Sequence, residues 1–98
     1  MRRLRFAWDS EKAASNLLKH GVSFEDGTTL FSDPDEVMLS DPDHSEEEER
    51  FVSSGRGANG KLMLACYTDA DDTIRLINVR VATAKETRAY QLRGDDDA

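Results

Sequence analysis

Three apolar stretches joined by short, turn-rich segments constrain the fold of this 98-residue chain more than any other feature. They cover residues 50–54, 61–68 and 73–81. The first connection, residues 55–60, contains three glycines, and the second, residues 69–72, contains three aspartates. Connections this short join antiparallel neighbours, whereas parallel strands need a much longer crossover. The pattern predicts a three-stranded antiparallel meander.

Two shorter stretches, residues 4–8 and 36–40, can extend this sheet. The first alternates partly between apolar and polar side chains, and the second lies between the turn-forming pairs Asp33-Pro34 and Asp41-Pro42. Together with the meander, they lead us to expect a small antiparallel sheet of about four strands.

Helix signals precede and follow the sheet. Asp9 and Ser23 are placed to cap two N-terminal helices, and Gly21 is placed to end the first in a left-handed conformation. After the sheet, Thr83 and Glu86 form a capping box that opens a helix to about residue 92. The apolar stripe of the first helix, expected to face the core, is Ala13, Ala14, Leu17 and Leu18. The sequence thus predicts an α+β fold with two N-terminal helices and one C-terminal helix.

One domain without a membrane segment is expected. We assign residues 1–94 to a single domain and the acidic residues 95–98 to a disordered tail. No run of about 18 apolar residues and no signal-peptide core is present, which favours the cytoplasm. The single cysteine, Cys66, excludes an internal disulfide and argues against a cysteine-based zinc site. Within the apolar stretch 62–67 its thiol is expected to be buried and unreactive.

Charge is distributed unevenly along the chain. The net value is −7, but nine acids and no Lys or Arg lie between residues 33 and 49, and three more acids occupy 95–97. Without these twelve acids, eight acids face thirteen lysines and arginines, so the remainder carries +5. A basic body can bind a nucleic acid, because Lys and Arg displace counterions from its phosphates. The negative net charge therefore does not exclude an RNA partner.

Two arginines on the last predicted strand are the leading candidates for chemistry. Arg75 and Arg80 differ by an odd number of positions, so a regular strand sends them to opposite faces unless a bulge intervenes. Arg80 lies at the strand's end, where its guanidinium could grip a phosphate with two hydrogen bonds. Alternatively, each arginine pairs with a carboxylate such as Glu49 or Glu86. We therefore favour Arg80 as the catalytic residue and expect Arg75 to hold the Glu49 region.

A polar face on the first helix offers further candidates. Lys12, Asn16, Lys19 and His20 follow one another at helical spacing. His20 can act as an acid or base near neutral pH, and the face can line a phosphate-binding surface. The alternative is an ordinary solvated face.

The acidic segment 41–49 resembles a metal site only in composition. It lacks the glycine and the final glutamate that a calcium-binding loop requires at fixed positions. We interpret it as a solvated loop, and we expect no metal and no cofactor.

Three blocks of sequence, in this order along the chain, resemble those of a known protein family. The first comprises Phe6-Ala7-Trp8-Asp9, Lys12, Asn16 and Lys19-His20-Gly21-Val22-Ser23-Phe24-Glu25. The second runs from Asp43-His44-Ser45 to Glu48-Glu49-Arg50, and the third comprises Arg75-Leu76-Ile77-Asn78-Val79-Arg80 with Ala82, Glu86, Arg88 and Tyr90. Together they resemble the BrnT family over residues 4 to about 92.

The resemblance implies a RelE-like toxin of a type II toxin–antitoxin pair. Its expected activity is metal-independent endoribonuclease cleavage of RNA that inhibits translation, and its expected partner is a ribbon-helix-helix antitoxin, BrnA, through which alone it would meet DNA. Matched by position, the catalytic candidates are Arg80, Arg75, His20, Arg50, Glu49 and Tyr90. The candidate RNA contacts are Lys12, Asn16 and Lys19.

Two positions depart from the family pattern. Thr68-Asp69-Ala70 stands where members often have Thr-Glu-Arg, and Asn78 stands where they often have serine. The first change removes one possible phosphate contact. A different class of function also remains open, namely a non-catalytic module that binds a basic partner through its acidic segment.

Overall fold

A five-stranded sheet and three helices form the part of the chain that the structure, a computed structural model, describes, residues 4–40 and 49–96. The strands are β1 (Arg5–Ala7), β2 (Val37–Ser40), β3 (Phe51–Arg56), β4 (Leu62–Ala70) and β5 (Thr73–Val81). The helices are α1 (Ser10–His20), α2 (Phe24–Thr28), which continues into a 3-10 turn (Thr29–Ser32), and α3 (Ala84–Asp96). Among the described helices, none is long and apolar enough to cross a membrane.

The sheet has the strand order β1-β5-β4-β3-β2. Strands β3, β4 and β5 form the predicted antiparallel meander, and β2 adds to β3 in the same sense. The predicted α+β fold with a small sheet is confirmed; the sheet has five strands where about four were expected, and β1 pairs with β5 in parallel. No tight turn joins β1 to β5, so a hairpin does not fix the direction of β1.

The core lies between one face of the sheet and helices α1 and α2. Its buried side chains include Val22, Phe24, Leu30, Met63, Ala65, Tyr67, Ile74, Leu76 and Val79. Helix α2 approaches β5 so closely that a Cβ added at Gly27 would lie 2.7 Å from the side chain of Val79. The opposite face of the sheet, called the open face below, carries Arg50, Val52, Leu64, Cys66, Thr68, Arg75, Ile77, Asn78 and Arg80. Cys66 is thus half-buried on the open face, and the prediction of a core thiol is wrong.

The predicted helix caps are confirmed. The Asp9 carboxylate accepts from the Lys12 N–H, the Ser23 hydroxyl accepts from the Asp26 N–H, and Gly21 ends α1 at a φ of 72°. Thr83 and Glu86 exchange hydrogen bonds as a capping box. Helix α3 runs to Asp96, beyond the expected residue 92. It continues through Gly94 because a glycine lowers helix propensity without forbidding a helix. Residues 95 and 96, assigned to a disordered tail, are therefore helical, while 97 and 98 lie outside the described residues.

A bulge in β5 overturns the prediction that Arg75 and Arg80 lie on opposite faces. Cys66 pairs with Asn78 and Tyr67 pairs with Leu76, which leaves Ile77 as an extra residue in β5. Every side chain after an extra residue lies on the face opposite to the one that regular alternation along the strand predicts. Arg75, opposite Thr68, and Arg80, opposite Leu64, consequently share the open face.

Helix α1 does not bury the apolar stripe that its sequence predicts. Leu17 is 50% exposed and Leu18 is 90% exposed, whereas Asn16 is only 6% exposed. The Asn16 amide nitrogen donates to Val79 O (2.8 Å) and Val22 O (3.2 Å), and its oxygen accepts from Val79 N (3.0 Å). Because β1 pairs with β5 only as far as Arg75, Asn16 takes the place of a neighbouring strand at Val79. The need to hydrogen-bond the backbone of Val79 therefore determines which face of α1 is buried more strongly than its leucines do.

Candidate active site on the open face

Two depressions lie side by side on the open face. The small depression, about 70 Å³, is lined by Asp9, Lys12, Arg50, Thr68, Arg75, Leu76 and Ile77. The large depression, about 200 Å³, is lined by Arg50, Val52, Leu64, Cys66, Ile77, Asn78 and Arg80. They share Arg50 and Ile77. A ligand lying across both would therefore meet three arginines and one lysine.

The small depression gathers positive charge from three separate elements. Lys12 comes from the first turn of α1, Arg50 immediately precedes β3, and Arg75 lies in β5. Arg75 is exposed, and its guanidinium makes no hydrogen bond or ion pair with any residue of the described chain. Its predicted contact with Glu49 is not formed, although both residues are described. Converging cations of this kind provide a binding site for a phosphate group.

Arg80 differs from Arg75 because it already has a carboxylate partner. Its two terminal nitrogens donate to the two oxygens of Glu86, at 2.7 and 2.8 Å, so the alternative in which Arg80 pairs with Glu86 is confirmed. The hydrogen bonds from Arg80 lower the pKa of Glu86 to about 2, and the same contact raises the pKa of Arg80. Both groups stay charged near neutral pH. Glu86 thus fixes the Arg80 guanidinium and offsets part of its charge.

Tyr90, a catalytic candidate, lies away from both depressions. Its hydroxyl donates to Asp33 Oδ2 at 2.6 Å, and the Arg56 guanidinium lies 6.0 Å from the centre of its ring. Burial, followed by the hydrogen bond to Asp33, raises the pKa of Tyr90 to about 12. Burial alone would raise the pKa of Asp33, but hydrogen bonds from the Arg56 N–H and from Tyr90 lower it overall. In this position Tyr90 attaches α3 to the rest of the molecule.

The remaining predicted site residues are dispersed. His20 is half-buried at the end of α1, and Lys19 and Glu49 are exposed; none of them lines either depression. Asn16 is buried, with its amide bound to backbone groups of Val22 and Val79, so it supports the fold, and its contact with RNA stays a prediction. Catalytic roles for His20 and Glu49 stay predictions.

The reasoning from sequence missed two parts of the site. Asp9 was considered only as a helix cap, yet it also lines the small depression. Asn78 was noted as a departure from a family pattern, yet it stands on the wall of the large depression. The only available signal was its place between two arginines on one strand.

Within residues 4–40 and 49–96, no group of three or more His, Cys, Asp or Glu side chains is arranged so that it could hold a metal ion. The segment 41–48, which contains Asp43 and His44, lies outside the described residues. The suggested binding of a basic partner through this segment stays a prediction.

Comparisons with known proteins decide the family. Residues 8–86 match the family of the ribonuclease toxin BrnT of type II toxin–antitoxin systems. The chain belongs to the BrnT family. As a member of a toxin–antitoxin family, it has an antitoxin as its expected partner. No curated protein sequence matches the chain.

A solved structure confirms the fold of this BrnT-family chain. The ribonuclease toxin BrnT of Brucella abortus, a crystal structure at 1.1 Å resolution, superposes with a TM-score of 0.60 at 19% sequence identity. The match covers 83% of this chain and 99% of the Brucella chain. The α+β architecture is thus that of a BrnT toxin.

Proposed function

We propose that this chain is an endoribonuclease toxin that cleaves RNA without a metal ion and thereby inhibits translation. The observation that carries the proposal is the small depression, where Lys12, Arg50 and Arg75 converge on one face of the sheet. Three cations from three elements meet there beside a single carboxylate, that of Asp9, and this excess of positive charge favours the binding of an anion. The RNA backbone supplies such an anion.

The proposed reaction is attack by the RNA 2′-hydroxyl on the adjacent phosphorus. The bond that forms joins the 2′-oxygen to phosphorus, and the bond that breaks joins phosphorus to the 5′-oxygen of the next nucleotide. The 2′-hydroxyl loses a proton and the departing 5′-oxygen gains one, so the reaction consumes neither a reductant nor an oxidant. Negative charge grows on the non-bridging phosphate oxygens in the transition state, where fixed cations stabilise it.

The geometry changes which arginine is favoured for this task. Arg75 has no carboxylate partner among the described residues and stands beside Lys12 and Arg50. Arg80 shares its guanidinium with Glu86, which weakens its attraction for a phosphate. We therefore assign charge stabilisation to Arg75 with Arg50 and Lys12, and a positioning task to Arg80.

The proposed antitoxin is a ribbon-helix-helix protein similar to BrnA, and contact with DNA would occur only through the toxin–antitoxin complex.

Expression of the chain alone is expected to arrest growth and protein synthesis, because cleaved RNA cannot be translated. Coexpression of a small ribbon-helix-helix neighbour is expected to restore growth, because the neutralised toxin no longer cuts RNA. The measurement is growth and labelled amino-acid incorporation after induction.

A matched control for the growth test is Arg75→Ala, which removes one cation while leaving the protein surface otherwise unchanged. Expression of this variant is expected to be harmless at the same protein level. Unimpaired growth with the wild-type chain alone would overturn the toxin proposal and favour the non-catalytic module.

A further inference from the structure

The large depression differs in character from the small one beside it. Val52, Leu64, Cys66 and Ile77 form its less polar lining, while Arg50, Arg80 and Asn78 supply the polar groups. Its volume of about 200 Å³ is below the roughly 300 to 1,000 Å³ of sites for drug-sized molecules. It therefore has room for one flat heterocycle. A lining that combines apolar side chains with polar groups also matches a nucleobase, which has apolar faces and a polar edge.

Asn78 is the one neutral side chain in that lining with both a strong donor and a strong acceptor. It is exposed, and its amide makes no hydrogen bond with any part of the described chain. The bulge at Ile77 places Asn78 on the open face, opposite Cys66. An amide presents its donor and acceptor side by side, which is the arrangement that reads the edge of a base.

Arg80 contributes to the same depression in a way that its pairing with Glu86 explains. The two hydrogen bonds to Glu86 hold the guanidinium in one orientation and offset part of its charge. Bases stack on the plane of an arginine in single-stranded RNA recognition. A fixed guanidinium loses less conformational entropy when a base packs on it than a mobile one does.

The two depressions are adjacent, as a nucleotide requires. They share Arg50 and Ile77, so a phosphate held by Lys12, Arg50 and Arg75 has its neighbouring base within reach of the large depression. From this juxtaposition we propose that the large depression is a subsite for one nucleobase of the RNA substrate, next to the scissile phosphate, and that Asn78 reads the edge of that base. The inference rests on the proposed ribonuclease function and deepens it by placing a determinant of sequence preference.

The test is to map cleavage sites on an RNA library with randomised sequence, in EDTA, by sequencing the cut ends. The wild-type chain is expected to favour one base at one position beside the cut. Asn78→Ala is expected to reduce that preference about tenfold, since a well-paired base contact is worth roughly 1 to 3 kcal/mol. Asn78→Asp, which replaces the donor by an acceptor, is expected to change which base is preferred, a result that a merely structural role would not produce.

Gln91→Ala is the matched control, because Gln91 is an exposed amide on α3 that lines neither depression. It is expected to cleave with the rate and base preference of the wild-type chain. Cleavage without base preference, or a preference unchanged in both Asn78 variants, overturns the subsite and leaves the ribonuclease proposal intact. A wild-type chain that cuts no RNA overturns the proposed function, and the subsite with it.

Discussion

Replacing Arg75 with alanine is expected to lower the rate of RNA cleavage by about 100-fold or more, as the loss of one preorganised charge-stabilising donor does in other enzymes. Arg75 is exposed on the open face beside Lys12 and Arg50, without a carboxylate partner in the described chain. Its removal changes the charge at the reacting phosphate without leaving a buried partner unpaired. The measurement is the cleavage rate of a labelled RNA by purified protein.

Arg88→Ala controls for the loss of one positive charge. Arg88 is exposed on α3 and lines neither depression, so its variant is expected to keep the wild-type rate. Thermal unfolding of both variants should match that of the wild-type chain. Equal rates in the wild-type and Arg75→Ala proteins would remove Arg75 from the mechanism.

Asn16→Ala is expected to destabilise the fold by about 2 to 4 kcal/mol, because it leaves the N–H and C=O of Val79 unpaired at a buried position. Asn16→Leu keeps the volume of the side chain and is expected to recover little, since a leucine offers the strand neither donor nor acceptor. For a chain of this length, the melting temperature should fall by roughly 8 °C or more. The measurement is thermal and urea unfolding followed by circular dichroism.

Lys19→Ala is the control on the same helix. Lys19 is exposed and its side chain makes no hydrogen bond among the described residues, so its variant is expected to unfold within about 0.5 kcal/mol of the wild-type chain. If Asn16→Ala unfolded like the wild-type chain and instead bound RNA more weakly, Asn16 would be an RNA contact, as its place on a polar helix face first indicated.

Local signals in the sequence predicted the helix ends well. Asp9, Ser23 and the pair Thr83 and Glu86 all form the expected caps, because a cap depends on residues within one turn of one another. The meander could be predicted equally well, because short turns join its strands. Neither inference needed information about distant parts of the chain.

The errors arose where contacts between distant residues decide the structure. Asn16 and Val79 lie 63 positions apart, and nothing near Asn16 shows that a strand edge will need its amide. The same is true of the bulge at Ile77, because the residues of β5 alone are consistent with a regular strand. The alternation of a regular strand therefore predicts Arg75 and Arg80 on opposite faces, whereas the structure places them on one face.

The bulge is also what creates the candidate site. If Ile77 paired in a regular ladder, the residues after it would exchange faces, and Asn78 and Arg80 would turn away from Arg50 and Arg75. The bulge thus gives the open face two β5 arginines where regular pairing would give it one. Asn16 then binds the backbone of β5 at Val79, between the two side chains that the bulge has redirected.

The ends left on cleaved RNA test the proposed chemistry most directly. Purified wild-type chain should cut a defined single-stranded RNA in the presence of EDTA. If the 2′-hydroxyl attacks a phosphate held by Lys12, Arg50 and Arg75, the fragments should carry a 2′,3′-cyclic phosphate on one side of the cut and a 5′-hydroxyl on the other. RNA that stays intact in EDTA, or fragments that carry 3′-hydroxyl and 5′-phosphate ends, would contradict it.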